Sequence, residues 1–127
     1  MKTNLKKENP IGIFDSGIGG LTVAHAIKNH LPNEQLIYFG DTAHLPYGDK
    51  EPYSIKHYSV EIAKFLLERK CKLIVIACHT ASSIAYKEVK RIVGEQAIVI
   101  NVVDPVVKLM AKIEKSKAVG VIGTKGT

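Results

Sequence analysis

The sequence predicts an α/β protein with a doubly wound, mostly parallel sheet and helices on both faces. Three observations predict this class. Five short apolar runs alternate with helical patterns along the 127 residues. These runs are continuously apolar rather than alternating, which is typical of strands buried on both faces of a parallel sheet. No internal repeat or Gly/Ser-rich linker divides the chain, and a chain of this length suits one domain.

The elements follow from the spacing of the apolar residues, taken in chain order. The predicted strands are Ile11–Phe14, Gln35–Phe39, Lys72–Ala77, Ala97–Val103 and Ala118–Ile122. Between them, apolar residues at helical spacing predict helices over about 21–31, 54–70, 80–93 and 105–115. A strand–helix–strand alternation of this kind implies right-handed crossovers between parallel strands.

Composition excludes several classes of function. Hydrophobic residues make up 46% of the chain and charged residues 24%, which favours a packed core over disorder. The net charge is +6, but the basic residues fall on predicted helix faces and only 6% of residues are aromatic, so no nucleic-acid partner is expected. No apolar run reaches a membrane span and no secretory signal stands at the N-terminus, so we expect no membrane partner and a cytoplasmic location.

The two cysteines lie at opposite ends of one predicted strand. Cys71 and Cys78 would be about 23 Å apart in extended chain, too far for a disulfide between them. The chain has no CxxC motif or Cys/His cluster with metal-binding spacing, so no metal is expected. Two reduced thiols fit the cytoplasm.

Polar and reactive residues follow four of the predicted strands. In a doubly wound sheet the ligand binds at the carboxyl ends of the strands, so we expect these segments to meet. They are Asp15–Gly20, then Gly40–Thr42 leading into Pro46–Gly48, then Cys78–Thr80, and finally Gly123–Thr124.

The segment DSGIGG after the first strand suits a backbone cradle for an anion at the start of a helix. It fails the dinucleotide-binding pattern because Thr22 stands where glycine or alanine is needed, and it lacks the GK[ST] of a phosphate-binding P-loop. The structural alternative is a tight turn with Ser16 as a helix cap. An acidic residue at the sheet's carboxyl edge, Asp15, favours the functional interpretation.

Cys78 ends a predicted buried strand and precedes a predicted helix, a place that favours thiolate. The alternative, a structural cysteine packing as a small hydrophobic residue, suits Cys71 better. A phosphatase loop built on Cys78 would need arginine where Ile84 stands. His44 lies in the polar loop after the second strand, and its role is left open.

Four segments together resemble glutamate racemase: FDSGIGGLTV, YFGDTAHLPYG, IACHTASS and VIGTKGT, in this order. The resemblance covers Ile11 to Thr127. It implies a fold of two similar α/β lobes with the site between them, in chains about twice this length. Residues 1–103 would form the first lobe, and residues 104–127 the start of a truncated second lobe.

The resemblance also implies a cofactor-independent transfer of the Cα proton of glutamate between two cysteines. Cys78 would be one of these, and Asp15 would assist proton movement at Cys78 and contact the substrate with Ser16. The second cysteine of the family lies in a Gly-Cys-Thr-His segment that this sequence lacks. The chain is therefore expected to be a fragment that does not racemise glutamate alone.

By the same resemblance, Tyr47, Gly48 and Thr80 would bind the substrate carboxylates. His79 occupies a further substrate-binding position, where the family pattern has asparagine. The product, D-glutamate, would feed peptidoglycan synthesis in a bacterial cytoplasm. A homodimer is left open.

Three alternatives stay open from the sequence. The first is a non-catalytic anion- or nucleotide-binding module, with Asp41 near a ribose. The second is an aspartate racemase-like enzyme, and the third is a degraded gene product with His79 as a sign of relaxed constraint.

Overall fold

A parallel sheet forms the centre of the protein in a computed structural model that describes residues 3–113 and 118–127. The strands within those ranges are β1 (Ile11–Asp15), β2 (Leu36–Gly40), β3 (Leu73–Ile76) and β4 (Ile98–Asn101). Their order across the sheet is β2-β1-β3-β4, and each neighbouring pair is parallel. The predicted α/β class and parallel sheet are confirmed.

The helices lie close to their predicted positions. They are α1 (Leu21–His30), α2 (Pro52–Glu68), α3 (His79–Val93) and α4 (Val103–Met110), with a short 3₁₀ turn at Tyr47–Asp49. Pro52 begins α2, where its missing N–H removes no helical hydrogen bond. Gly94, with φ of 56°, follows α3 in the left-handed region that favours glycine. No helix of the described ranges is long and apolar enough to cross a membrane.

Helices cover both faces of the sheet because successive side chains of a strand point to opposite sides. On one face Ile13 and Val75 pack against residues of α1. On the other face Phe14 and Ile76 belong to the larger core that α2 and α3 complete. The sheet is therefore doubly wound, as predicted, and its carboxyl edge lies between the two helical layers.

The strand β4 departs from the expected burial on both faces. Val99 faces the core of α2 and α3, whereas Ile98 and Ile100 are 57% and 44% exposed. Within the described residues β4 pairs with β3 alone. It is an edge strand with one uncovered apolar face.

The predicted fifth strand at Ala118–Ile122 is wrong. Residues 118–124 have no helix or strand in the structure, and the side chain of Ile122 is fully exposed. Apolar composition alone predicted this strand, but a strand also needs a neighbour to satisfy its backbone groups. The predicted helix over 105–115 begins earlier, at Val103, and its residues 114 and 115 lie outside the described ranges.

Candidate active site

The carboxyl ends of β1, β2 and β3 bring together side chains that are distant in sequence. The N–H of Asp41, just after β2, donates to the carbonyl oxygen of Asp15 at 2.9 Å. The thiol of Cys78, just after β3, donates to Ser16 Oγ at 3.4 Å. The structure thus places Asp15, Ser16 and Cys78 side by side, as the position of ligand sites in such sheets predicts.

Asp15 organises the turn between β1 and α1. Its buried carboxylate accepts a hydrogen bond from the N–H of Gly20 at 2.8 Å. A Cβ at Gly20 would lie 2.7 Å from the Cβ of Asp15, so only glycine lets the chain turn this closely. The alternative role for Ser16, as the cap of α1, is wrong because Gly20 is the N-cap and no side chain caps the helix.

Cys78 is the N-cap of α3. Its Sγ accepts a hydrogen bond from the N–H of Ala81 at 3.4 Å. The positive end of the helix dipole therefore lies at the sulfur, which stabilises negative charge there. The side chain is 6% exposed and meets solvent at an opening that it helps to line.

That opening is a cleft of about 500 Å³ at the carboxyl edge. Five predicted site residues contribute to its wall, with the backbone of the glycine-rich turn and the Leu45–Pro46 segment. These residues are Asp15, Ser16, Cys78, His79 and Thr80. Hydroxyl, imidazole, carboxyl and thiol groups therefore face one space large enough for an amino acid.

Tyr47 is buried and does not line this cleft. Its hydroxyl donates to Asp41 Oδ2 at 2.6 Å, and His44 Nδ1 lies 2.8 Å from the other oxygen of the same carboxyl group. Burial, followed by the hydrogen bond to Asp41, raises the pKa of Tyr47. The hydroxyl is thus committed to Asp41, and the structure does not place Tyr47 at the wall of the cleft.

Thr124 contacts both Thr80 and Gly48. No binding role was predicted for Thr124 from the sequence. Its Oγ1 lies 2.8 Å from Thr80 Oγ1 and 2.9 Å from Thr127 Oγ1. Gly48 packs against it so closely that a Cβ there would lie 2.9 Å from Thr124 Cγ2. Gly48 and Thr124 also line a second cavity of about 540 Å³. The sequence did contain a signal for this residue, because Gly123–Thr124 is one of the four polar segments that follow predicted strands.

Both cysteines are free thiols, and we expect iodoacetamide to alkylate Cys78 much faster than Cys71 in the folded chain. Burial raises the pKa of the Cys71 thiol to about 11, so at about pH 8 only roughly one molecule in a thousand carries that thiolate. Cys78 opens into the cleft. Peptide mass spectrometry measures the two rates, and unfolding in guanidinium should equalise them. Equal rates in the folded chain would contradict this placement.

The raised pKa of Cys71 also predicts how the stability of the folded state changes with pH. An unfolded Cys71 thiol titrates near its ordinary value of 9.0 and the folded one near 11. Between these values the unfolded chain releases its proton first, so the folded state loses stability as the pH rises through this window.

The described residues contain no group of three His, Cys, Asp or Glu side chains that could hold a metal ion. The side chains that line this cleft suit proton transfer. A thiol next to a hydroxyl and a carboxyl group is suited to accept and donate protons.

Comparison with profiles of known protein families gives no match. Among curated proteins, the glutamate racemase of Geobacter metallireducens is 50% identical over 117 residues, which are 92% of this chain and 43% of that protein. The glutamate racemase of Chlorobaculum parvum is 47% identical over 94% of this chain and 43% of its own length. The chain thus spans less than half the length of these relatives.

Solved structures give the same result. Glutamate racemase from Aquifex pyrophilus matches with a TM-score of 0.85 and 44% identity, over 92% of this chain and 46% of that one. The enzyme from Francisella tularensis, solved in complex with D-glutamate, matches with a TM-score of 0.80 and 44% identity, over 84% and 40%. Fold and site define an α/β protein with a thiol at the carboxyl edge of its parallel sheet. Over more than nine tenths of its length the chain is similar to part of the glutamate racemases.

Proposed function

We propose that this chain provides one half of the active site of a glutamate racemase, which interconverts L- and D-glutamate without a cofactor. The observation that carries the proposal is the thiol of Cys78 at the N-terminus of α3, in a cleft shared with Asp15 and Ser16. Its relatives are named glutamate racemase, and one solved relative holds D-glutamate. Since the chain covers 43% of that curated relative, the complete activity is proposed for a protein of the relatives' length.

The reaction needs a strong base because the Cα hydrogen of an amino acid is a very weak acid. As a thiolate, Cys78 takes the Cα proton, and the electron pair left on carbon is delocalised into the adjacent carboxylate. In the family a second thiol, on the opposite side of Cα, gives its proton to this carbon. The configuration is thereby inverted, and the two sulfurs exchange roles in the reverse direction. Fixed hydrogen-bond donors in a site that excludes water stabilise the charge that develops.

Asp15 and Ser16 prepare Cys78 for this step. Ser16 Oγ accepts the hydrogen bond of the Cys78 thiol and so orients the sulfur in the cleft. The carboxylate of Asp15 is buried in the same cleft wall, where it assists proton movement as a general acid or base.

The carboxylates and ammonium of glutamate would be bound by the polar groups around the cleft. Ser16, His79 and Thr80 offer side-chain groups. Gly48 lines the second cavity and Tyr47 is buried, so neither lines this cleft in the described residues. His79 is exposed at the mouth of the cleft. In place of the family's asparagine it supplies one donor and one acceptor at a longer reach.

The wider role follows from the same proposal. In this proposal residues 1–103 are the first lobe and residues 104–127 open the second. D-Glutamate made in the bacterial cytoplasm would supply peptidoglycan synthesis. The similarity of the chain to glutamate racemases supports both points, and a homodimer is left open.

Protection of Cys78 from alkylation tests substrate binding by this half-site. We expect millimolar glutamate to slow the reaction of iodoacetamide with Cys78 by the factor 1 + [glutamate]/Kd, which is about tenfold at nine times Kd. Cys71 is the internal control, because it is buried outside the cleft and its rate should not respond to glutamate.

Two further ligands separate the alternatives in the same assay. Aspartate that protects better than glutamate would favour an aspartate racemase-like enzyme. A nucleotide that protects or raises the melting temperature, with no effect of glutamate, would favour a binding module. An alkylation rate of Cys78 that ignores every amino acid tested would contradict the proposed function.

A further inference from the structure

Tyr38 lies under the turn that carries Asp15, and no role was predicted for it. It stands on β2, with its Cα in register with Ile13 of β1. Its ring packs at the edge of the core between the sheet and α1. Its hydroxyl donates to the carbonyl oxygen of Gly17 at 3.2 Å, so a side chain of one strand supports the loop that follows its neighbour.

The backbone around this contact leaves the turn little room. A Cβ at Gly40 would lie 2.3 Å from the carbonyl oxygen of Gly17, which shows how closely the turn crosses the end of β2. The N–H of Asp41 holds the carbonyl oxygen of Asp15 from the same strand end. Tyr38 and Asp41 therefore hold the turn at two backbone carbonyls, those of Gly17 and Asp15.

The hydroxyl of Tyr38 also lies within the influence of the Asp15 carboxylate. Burial raises the pKa of Tyr38, and the charge of the nearby Asp15 carboxylate adds to the rise. The phenol therefore stays protonated and remains a donor throughout the neutral range. Its hydrogen bond to the Gly17 carbonyl is therefore kept over this range.

We propose that Tyr38 is a positioning residue for the site: its hydroxyl fixes the carbonyl of Gly17 and thereby the orientation of the Asp15 carboxylate in the cleft. It acts through Asp15 and does not line the cleft itself. Only the effect on glutamate rests on the proposed function. The effect on the turn does not.

The first measurement follows the Gly20 amide, whose N–H is held by Asp15 Oδ2. In Tyr38→Phe the ring remains and the hydroxyl is lost, so hydrogen exchange of this amide should be about threefold to tenfold faster. The amides of β3 should exchange at the wild-type rate. Tyr86→Phe, the same change on a half-buried tyrosine of α3, is the matched control and should leave Gly20 unchanged.

Two results would overturn the proposal. An unchanged Gly20 amide in Tyr38→Phe would show that the hydroxyl does not hold the turn. Faster exchange spread equally over Gly20 and β3 would show a general loss of stability instead of local positioning.

The second measurement is the glutamate affinity of the 127-residue chain, taken from the protection of Cys78. Tyr38→Phe should weaken it about threefold to tenfold, but it should have no further effect in an Asp15→Ala background. An equal loss in both backgrounds would overturn the route through Asp15. If the wild-type chain ignores glutamate, the proposed function fails, and the Gly20 amide still decides the role of Tyr38.

Discussion

Replacing Cys78 by alanine is expected to lower glutamate racemisation by about 10²- to 10⁴-fold, the usual contribution of a positioned acid or base. The assay joins residues 1–127 to the remaining part of the Geobacter metallireducens relative, because the present chain covers 43% of that protein. Without Sγ, no group remains at the N-cap of α3 that can remove or return the Cα proton on this side. The rate of loss of optical rotation from pure L-glutamate and from pure D-glutamate measures the effect.

The matched control is Cys71→Ala. This cysteine is fully buried against Leu66 and Gly12, and it does not line the cleft. Its replacement should lower the stability of the chimera slightly and leave the racemisation rate near that of the parent. A Cys78→Ala chimera that keeps more than about a tenth of the parent rate would contradict the assignment of Cys78 as a base.

The second large effect is expected from Gly40→Ala. The added methyl group would lie 2.3 Å from the carbonyl oxygen of Gly17, an atom of the backbone that cannot rotate away. Either β2 or the Asp15 turn must move, at a cost of about 1–3 kcal/mol in the free energy of unfolding. Since the turn carries Asp15, protection of Cys78 by glutamate should also weaken. Urea unfolding and the alkylation assay measure the two effects.

Gly120→Ala is the control for this change. Among the described residues, its chain neighbours aside, no atom lies within 4 Å of a Cβ built at Gly120, so the same methyl group should alter neither stability nor protection. Gly40→Ala with the unfolding midpoint and glutamate affinity of the parent would show that the turn is not held against the end of β2.

The parallel sheet was predictable from the sequence because its strands are apolar runs in a strand–helix alternation. For β1 and β3 the run and the buried strand coincide, since both faces of these central strands are covered. The same signal misled at residues 118–122, where an apolar run has no strand beside it. The apolar composition of a segment indicates that it could be buried. Whether it forms a strand depends on a second strand beside it, and the local sequence does not show that strand.

The part of the site that lies directly after the strands could be predicted from the sequence. Asp15 and Cys78 were placed together because carboxyl ends of parallel strands share an edge. The burial of Tyr47 was not predictable, since its hydroxyl partner, Asp41, lies in an irregular loop whose path no periodicity describes. Tyr38 was missed for a related reason: its contact with Gly17 joins β2 to the turn that follows β1.

The uncovered face of β4 has a practical consequence for every experiment above. Ile98 and Ile100 project from an edge strand whose outer side pairs with nothing in the described residues. Exposed, apolar edge strands are templates on which other chains add, and this is a route to aggregation. The 127-residue chain should therefore be handled dilute, with light scattering recorded alongside each titration, so that self-association is not mistaken for a ligand effect.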